Sequence, residues 1–319
     1  MRVLVTGGAG FIGYHVASRL REQGHEIFLL DNFNDFYDPQ VKRRNVRDLQ
    51  HDGPAVLYEA DVLDTSRLQQ VFAECLPQAI IHLAAWAGVR PSLERPEIYT
   101  EVNVTGTVNL LELARKLKVG SFIFGSSSSV YGGNKKVPFS EADPVDQPIS
   151  PYAATKRAGE LLCQVYSHNY GLHVCCLRFF TVYGPRQRPE MAIHKFARLM
   201  WEDKEIPVYG SGESRRDYTY IDDIVTGVLG AVRVNPVYDI LNLGESQTIS
   251  LLELVSELEN ALGRKAQLRF LPPQSGDMEI TYADISRAER VLEYHPTTPI
   301  REGILKFARW FLDSRHSTG

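Results

Sequence analysis

Residues 3–13 read Val3-Leu4-Val5-Thr6-Gly7-Gly8-Ala9-Gly10-Phe11-Ile12-Gly13, an apolar run followed by glycines in the spacing GxxGxxG. The apolar run is typical of a strand that is buried on both faces of a sheet. Ile12, Val16 and Leu20 then recur every four residues, which indicates one face of a helix. The glycines therefore lie between a strand and a helix. There Gly7 permits a tight turn, Gly10 lets backbone N–H groups approach a diphosphate, and Gly13 lets the helix pack closely.

Asp31 closes the next apolar run and lies 31 − 7 = 24 residues beyond Gly7. In a strand–loop–helix unit of this kind, an acidic residue about 20 residues on binds the adenosine ribose of a dinucleotide. The alternative is a helix or turn cap. Because a carboxylate there repels a 2′-phosphate, the sequence favours NAD over NADP. Asp61, which ends the third strand, is a candidate adenine contact, with capping of the following helix as its alternative.

The alternation of apolar runs and helix-spaced apolar residues continues through the first half of the chain. Strand-like runs lie at 56–58, 79–83, 122–124 and 174–179, with helix patterns between them. Strands that alternate with helices form a parallel sheet with right-handed crossovers. The sequence therefore predicts an α/β fold with a Rossmann-type, doubly wound parallel sheet.

Turn signals become more frequent from Tyr183 onwards. We expect a dinucleotide-binding domain over residues 1–182 and a smaller C-terminal α/β lobe, which binds substrate, over residues 183–319. Residues 221–243 contain a helix pattern and could fold back onto the sheet.

The overall charge of the chain disfavours a nucleic-acid-binding protein. Its 35 Lys and Arg against 39 Asp and Glu give 35 − 39 = −4, whereas domains that bind nucleic acid usually run basic. The basic run Lys42–Arg47 is interpreted as a solvated helix face. With 44% hydrophobic and 23% charged residues, the composition is that of a globular protein rather than a disordered one.

The four cysteines form no CxxC pair, which indicates neither a disulfide framework nor a zinc site. No His, Asp and Glu residues have metal-ligand spacing, so we expect no metal. The longest apolar stretch, Ala79–Val89, is too short to span a bilayer, and the first residues do not resemble a signal-peptide core. We expect a cytoplasmic protein that does not bind membranes.

Tyr152 and Lys156 lie four residues apart in a predicted helix and therefore on one face. An ammonium beside a phenol lowers the pKa of the phenol from about 10, which makes the tyrosine a usable base. A serine-rich stretch, Ser126–Ser129, ends the preceding strand. Alone, such a pair is common on helix surfaces, and the serines could form a solvated loop.

Together with the glycine loop, these motifs resemble those of the extended short-chain dehydrogenases/reductases, and among them the nucleotide-sugar epimerases, most closely those acting on UDP-glucuronate. The resemblance covers nearly the whole chain, in the segments Asp31–Pro39, His82–Ala85, Ala87–Arg90, Arg178–Pro185, Arg188–Ala192, Arg216–Asp223 and Gln274–Asp277. It implies NAD as cofactor and a homodimer in which helices at about 102–117 and 151–169 pair across a two-fold axis. Burial of these helices on the sheet alone is the alternative.

The resemblance also implies roles for individual residues. Tyr152 removes a proton from a sugar hydroxyl, Lys156 also holds the nicotinamide ribose, and Ser127 hydrogen-bonds the reacting oxygen. Arg216 and Asp277 hold the UDP group, although either could instead join a surface ion pair. The predicted cofactor-binding residues are Gly7, Gly10, Phe11, Ile12, Gly13, Asp31, Asn32, Asp61, Val62, Leu83, Ala84, Ala85, Asn103, Tyr152 and Lys156.

Ser128 and Ser129 stand where related enzymes carry acids. Dehydratases that resemble this chain have an Asp-Glu pair there, and UDP-glucuronate decarboxylases have a glutamate at the second position. Without these proton-transfer groups both reactions are disfavoured. Epimerisation at carbon 4 needs only Tyr152, Lys156, NAD and space for the keto-sugar to turn.

A sugar carboxylate is best held by charge-assisted hydrogen bonds. Ser127, Ser128, Ser129, Thr181, Arg188, and also Arg90, are the candidate sugar contacts. Arg188 could instead pair with Glu190, and Arg186-Gln187 replaces the Trp-Gly often seen before Arg-Pro in similar epimerases. UDP-glucose or UDP-N-acetylglucosamine 4-epimerase, a dehydrogenase or reductase that releases its cofactor, and a non-catalytic dinucleotide-binding protein remain alternatives.

Overall fold

The structure, a computed structural model, describes residues 1–272 and 279–316. Its strands are β1 (Arg2–Thr6), β2 (Glu26–Asp31), β3 (Val56–Glu59), β4 (Ala79–His82), β5 (Ser121–Ser127), β6 (Val174–Phe179), β7 (Thr181–Tyr183), β8 (Glu205–Tyr209), β9 (Arg215–Arg216), β10 (Tyr218–Tyr220), β11 (Tyr238–Leu243), β12 (Ile249–Ser250), β13 (Gln267–Leu271) and β14 (Ile280–Thr281). Its helices are α1 (Phe11–Glu22), α2 (Pro39–His51), α3 (Thr65–Cys75), α4 (Val89–Glu94), α5 (Pro96–Thr100), α6 (Gly106–Lys116), α7 (Pro151–Tyr170), α8 (Ala192–Trp201), α9 (Ile221–Val234), α10 (Leu251–Leu262), α11 (Ser286–Leu292) and α12 (Ile300–His316).

Seven strands form one parallel sheet in the order β11-β6-β5-β4-β1-β2-β3. Along β1, Val3 and Val5 pack into one apolar cluster and Leu4 into a second. Because successive side chains of a strand point to opposite faces, the sheet is covered on both faces. The predicted Rossmann-type α/β fold is confirmed. The strand order reverses between β1 and β4, where ligands bind in open α/β sheets.

Residues 221–243 form α9 and β11, and β11 pairs with β6 from Tyr238 opposite Val174 to Leu243 opposite Phe179. This stretch therefore lies on the central sheet, although it follows the point at residue 182 where the sequence predicts a division. The proposed domain boundary itself stays a prediction.

The remaining C-terminal strands form small sheets, β12-β9-β14, β13-β8 and the pair β10-β7. Helix α10 begins with a capping box in which Ser250 Oγ accepts from the Glu253 N–H and the Ser250 N–H donates to the Glu253 carboxylate, at 3.2 and 2.8 Å.

Helices α8 and α12 are not among the predicted helices. In α12, Ile304, Phe307 and Phe311 are buried at helix spacing.

Helix α2 differs from its interpretation as a solvated face. Arg44 and Arg47 are exposed, but Lys42 and Asn45 are buried. The Lys42 ammonium is buried against the carboxylate of Asp31. A run of basic residues in the sequence does not reveal this contact. None of the helices within 1–272 and 279–316 is both long and apolar enough to cross a membrane.

Candidate active site

A cavity of about 590 Å³ opens at the carboxyl ends of the central strands. Its wall is made by the glycine loop, the ends of β4 and β5, the start of α7 and a loop at 184–191. This volume is within the range of ligand-binding sites, and its place at the strand ends is the usual one in this fold.

The glycine loop is shaped for close approach by a ligand. Gly7 has a φ of +67°, a left-handed conformation that favours glycine. A Cβ on Gly13 would lie 2.2 Å from the Gly7 carbonyl oxygen. The loop and the helix can therefore pack in contact only because residue 13 has no side chain. Helix α1 begins after Gly10 with no side-chain cap. Its first N–H groups therefore point towards the cavity and suit an anion.

Asp31 is buried at the end of β2 and lines the cavity. Its carboxylate accepts from the Phe33 N–H at 2.9 Å and the Ala9 N–H at 3.3 Å. The Lys42 ammonium lies 3.4 Å from the same carboxylate and also donates to Asn34 at 3.0 Å. Sequence reasoning missed Lys42, although its place in a helix directly after the Asp31–Pro39 motif was a usable signal.

Most predicted cofactor-binding residues line the cavity, namely Gly7, Gly10, Phe11, Ile12, Gly13, Asp31, Asn32, Val62, Leu83, Ala84, Ala85, Tyr152 and Lys156. Asp61 and Asn103 are not among the lining residues. Asp61 accepts from the Asn32 amide at 2.6 Å, and Asn103, in a π-helical turn at Glu101–Thr105, bonds both the N–H and the carbonyl of Trp86. Each positions a segment of the wall, and a direct cofactor contact stays a prediction.

Tyr152 lies at the first turn of α7, beside Ser127 at the end of β5. Burial raises the pKa of the Tyr152 phenol, while the hydrogen bond with Ser127 and the positive charge of Arg188 act in the opposite direction. The Ser129 hydroxyl donates to the Ser127 oxygen at 3.0 Å and orients it. The phenol and the two hydroxyls therefore face one space.

Lys156 is held at the end of β5 by contacts of its ammonium. Its ammonium donates to the Gly125 carbonyl at 2.7 Å and lies 5.1 Å from the centre of the Phe124 ring. Burial lowers the pKa of Lys156 to about 8. Ser127 and Arg188 lower the pKa of Tyr152, and the predicted effect of Lys156 on the phenol stays a prediction.

A buried ion pair fixes the end of β5 from behind, and sequence reasoning missed it. Arg178 and Glu160 join through two hydrogen bonds of 2.8 and 2.9 Å. The Ser126 hydroxyl donates to the same carboxylate at 2.6 Å. Such a bidentate pair has a defined geometry, so the strand end beside Ser127 has little freedom.

The predicted sugar contacts Arg90, Ser127, Ser128, Ser129, Thr181, Arg188 and Arg216 all line the cavity. Arg188 Nε lies 3.2 Å from the carboxylate of Glu190, and the guanidinium lies 5.4 Å from the Phe36 ring centre. Arg188 thus makes the ion pair that the alternative interpretation names, and it also faces the cavity. Asp277 lies outside the described residues.

Two buried hydroxyls facing the cavity have no hydrogen-bond partner within the described residues: Tyr37 Oη and Thr281 Oγ1. Tyr37 Oη lies 4.0 Å from where a Cβ on Gly10 would be. Buried polar atoms without partners are rare in native proteins. One lies beside the glycine loop and the other on β14, so both sides of the cavity offer hydrogen bonds to a ligand. The residues present fit a dinucleotide on the glycine-loop side.

A family model described as "NAD dependent epimerase/dehydratase family" matches residues 3–244. The chain belongs to this family. The matched residues include the glycine loop, Asp31 and the Tyr152–Lys156 pair. They therefore include all the predicted cofactor-binding residues.

Individual proteins narrow the comparison. The chain is 44% identical to UDP-glucuronate 4-epimerase 3 of Arabidopsis thaliana, over 97% of this chain and 76% of that one. The crystal structure of UDP-glucuronic acid 4-epimerase from Bacillus cereus with UDP-glucuronic acid and NAD has a TM-score of 0.91, 36% identity and coverage of 98% and 100%. UDP-glucose 4-epimerase from Thermotoga maritima with UDP-glucose has a TM-score of 0.91, 32% identity and coverage of 99% and 100%.

Proposed function

We propose that the protein is an NAD-dependent isomerase that interconverts UDP-glucuronate and UDP-galacturonate by epimerisation at carbon 4. The observation that carries this proposal is the placing of acids in the cavity. Among the described lining residues the carboxylates are Asp31 and Glu190, and neither lies at the end of β5. Ser128 and Ser129 supply hydroxyls there, so the tyrosine base has no neighbouring acid for elimination or decarboxylation.

The cofactor side supports NAD. Residues of the glycine loop would hold the diphosphate through the open N–H groups of α1. The Asp31 carboxylate would accept from the adenosine ribose. When bound, NAD takes a hydride from carbon 4 of the sugar and returns it to the opposite face. Tyr152 and Lys156, which line the same cavity, would contact the nicotinamide end.

Tyr152 is the proton acceptor for the sugar hydroxyl, and it returns the proton when the keto group is reduced again. In the free protein the Ser127 hydroxyl hydrogen-bonds the Tyr152 phenol and keeps the two groups together, and it would donate its single hydrogen to the reacting oxygen once the sugar is bound. Arg188 adds positive charge that favours the phenolate. Lys156 would anchor a ribose hydroxyl from its fixed position at the Gly125 carbonyl.

The carboxylate of the sugar must be restrained during the reaction. Oxidation at carbon 4 makes glucuronate a β-keto acid, which loses CO₂ when the bond to its carboxylate aligns with the carbonyl π system. Ser128, Ser129 and Thr181 provide hydroxyls, and Arg188 provides a charge-assisted donor. These groups would hold the carboxylate out of alignment while the ring turns about the UDP linkage. Arg216 would bind the UDP group.

Epimerisation of UDP-glucose is the second candidate, favoured by a specific contact. The 3.2 Å pair between Arg188 and Glu190 already satisfies the arginine charge, and a neutral sugar would leave that pair intact. A carboxylate substrate must instead compete with Glu190. The two candidates therefore differ in what Arg188 binds during turnover.

We also propose a homodimer. Leu161 and Val165 lie four residues apart on α7 and are 46% and 48% exposed, and Leu117 follows α6 with 47% exposure. An apolar strip of this kind on two neighbouring helices suits a helix-to-helix interface with a second copy. Light scattering should give the mass of two chains, and a monomer mass at all concentrations would contradict the dimer.

The proposal also includes a cytoplasmic location, because the four cysteines are buried free thiols. It includes no nucleic-acid or membrane partner.

The decisive experiment is incubation of the purified protein with UDP-glucuronate, UDP-glucose and UDP-N-acetylglucosamine in parallel, followed by separation of the products. We expect UDP-galacturonate from UDP-glucuronate as the main conversion. Conversion of UDP-glucose alone would support the second candidate. Net formation of free NADH would identify a dehydrogenase, and no conversion of any sugar would overturn the proposed function.

A further inference from the structure

The glycine loop and the 184–191 loop are joined by a short series of side-chain contacts. Asn45, which is 2% exposed on α2, donates its amide to the Ala9 carbonyl at 2.9 Å. Its amide oxygen accepts from Arg186 Nη1, also at 2.9 Å. One buried residue therefore contacts both the loop that faces the cofactor and the loop that carries Arg188.

Arg186 is held firmly in this position. Its other guanidinium nitrogen lies 2.7 Å from the Asp48 carboxylate, one turn further along α2. The guanidinium also lies 4.0 Å from the centre of the Tyr14 ring on α1. Its φ of +66° is unfavourable for a residue with a Cβ. Contacts on three sides keep the loop in this conformation.

A second contact ties the same loop to α1. His15 Nε2 lies 2.9 Å from the Pro185 carbonyl. Burial lowers the pKa of His15 to about 4, so the ring is neutral and its N–H donates. The loop is thus attached to both helices that flank the glycine loop.

Arg188 follows Arg186 by two residues, and its own ion pair is with Glu190 of the same loop. That pair moves with the loop and does not set the position of Arg188 relative to the cofactor side. The contacts of Arg186 with Asn45, Asp48 and Tyr14 do set it, together with the Pro185 contact and the Phe36 ring that lies 5.4 Å from Arg188. Ala9 is held from the other direction as well, because its N–H donates to Asp31 at 3.3 Å.

We infer that Arg186 is a positioning residue that couples the two ligand-binding loops through Asn45, so that UDP-glucuronate, whose carboxylate engages Arg188, and NAD each strengthen the binding of the other. The inference rests on the proposed function. Coupling between two sites is reciprocal, so it can be read from either ligand. The sequence marks the position too, because Arg186 belongs to the dipeptide that departs from similar epimerases.

The test uses the full-length, NAD-loaded protein and follows the rate at which NAD leaves it, with and without saturating UDP-glucuronate. In the wild type we expect UDP-glucuronate to slow NAD loss. Arg186→Met keeps an aliphatic stem over Tyr14 but removes the charged hydrogen bonds, each of which stabilises by an amount equivalent to about tenfold or more. We expect the effect of UDP-glucuronate on NAD loss to fall by about tenfold in this variant and the KM for UDP-glucuronate to rise more than kcat falls.

Arg43→Met is the matched control. Arg43 also lies on α2, pairs with Glu59 at 2.9 Å and lies 4.2 Å from the Phe33 ring centre, but it does not line the cavity. The Arg43→Met variant should retain the effect of UDP-glucuronate on NAD loss. Asn45→Leu breaks the series of contacts at its other end, and the double variant should lose no more than either single one. Thermal unfolding of each variant separates loss of coupling from loss of fold.

The outcomes separate this inference from the proposed function. A wild type that converts no UDP-sugar overturns the proposed function, while the effect of UDP-glucuronate on NAD loss can still be measured. If UDP-glucuronate slows NAD loss equally in the wild type and in Arg186→Met, or if losses in the double variant add, the coupling role of Arg186 is wrong.

Discussion

The two sides of the cavity are assembled differently. The cofactor side draws its main groups, Gly7 to Gly13 and Asp31, from the first strand–helix–strand unit of the chain. The sugar side takes Ser128 from the end of β5, Thr181 from β7, and Arg216 from β9. A site within one local unit can be recognised from spacing, whereas a site drawn from distant segments depends on how the whole chain folds.

The two sides also differ in how fully their charges are satisfied. Asp31 is buried and already accepts two N–H groups beside the Lys42 ammonium. The pair of Arg188 and Glu190 is partly open, with 22% and 42% of the side chains exposed. The cofactor side is therefore preformed, and the sugar side can exchange an internal ion pair for a ligand carboxylate.

The largest effect should come from Tyr152→Phe, which tests whether the sides meet at the phenol. Loss of a positioned acid–base group costs about 100- to 10,000-fold in rate. We expect turnover of UDP-glucuronate to fall by that factor while the protein keeps its NAD. Tyr166→Phe is the control, since this tyrosine is on the same helix but donates to Glu112 at 2.7 Å, outside the cavity. Unchanged turnover in Tyr152→Phe would contradict the role of Tyr152 as proton acceptor.

Arg188→Ala tests the sugar side through the binding of each sugar, because loss of the Arg188 charge near Tyr152 slows the turnover of both sugars. Loss of one charged hydrogen-bond partner costs about 1.5–3 kcal/mol, roughly ten- to more than a hundredfold in binding. We expect weaker use of UDP-glucuronate by this factor and a larger share of product lost as a pentose, with UDP-glucose binding spared. Arg264→Ala is a matched control, because Arg264 pairs with Asp203 at 3.2 Å and lies 4.4 Å from Trp201, away from the cavity. Equal effects on both sugars would favour the neutral substrate.

The sequence predicts the cofactor side well because its signals are local. The signals in residues 3–31 are the first apolar run, the three glycines in the spacing GxxGxxG and Asp31. The role of each depends on residues that are close to it in the sequence. The role of Lys42 cannot be predicted from local signals, because its charge is buried only when α2 packs beside Asp31. The same holds for Arg178 and Glu160, because only the pairing of β6 with β5 and the packing of α7 bring them together.

Asp31→Asn tests the charge of the cofactor side. The preference for NAD over NADP rests on repulsion between the Asp31 carboxylate and a 2′-phosphate, and Lys42 at 3.4 Å offsets part of that charge. We expect direct titration to show a strong preference for NAD in the wild type and a preference about tenfold weaker in the variant. Equal affinities of the wild type for NAD and NADP would contradict the role of Asp31.

The smallest effect concerns stability in acid and belongs to the cofactor side. His82 is buried under the glycine loop, with Nδ1 2.7 Å from the Thr6 hydroxyl and Nε2 3.0 Å from the Thr107 hydroxyl. Burial lowers its pKa from 6.5 to about 3. Between these values the unfolded chain binds a proton that the folded chain does not. The contribution of the neutral His82 ring to the free energy of unfolding is therefore fully present above pH 6.5, and it falls as the pH drops towards 3.

Urea unfolding of the wild type and His82→Gln at pH 7 and at pH 5.5 measures this contribution. A lowered pKa costs about 1.4 kcal/mol for each pH unit below the unfolded value, so the wild type should lose about 1 kcal/mol more than the variant across this interval. The comparison uses the change with pH, because the substitution also alters packing. His51→Gln, at a histidine whose side chain is 89% exposed, should follow the wild type. If His82→Gln loses as much stability as the wild type, the buried ring is not the source of the acid sensitivity.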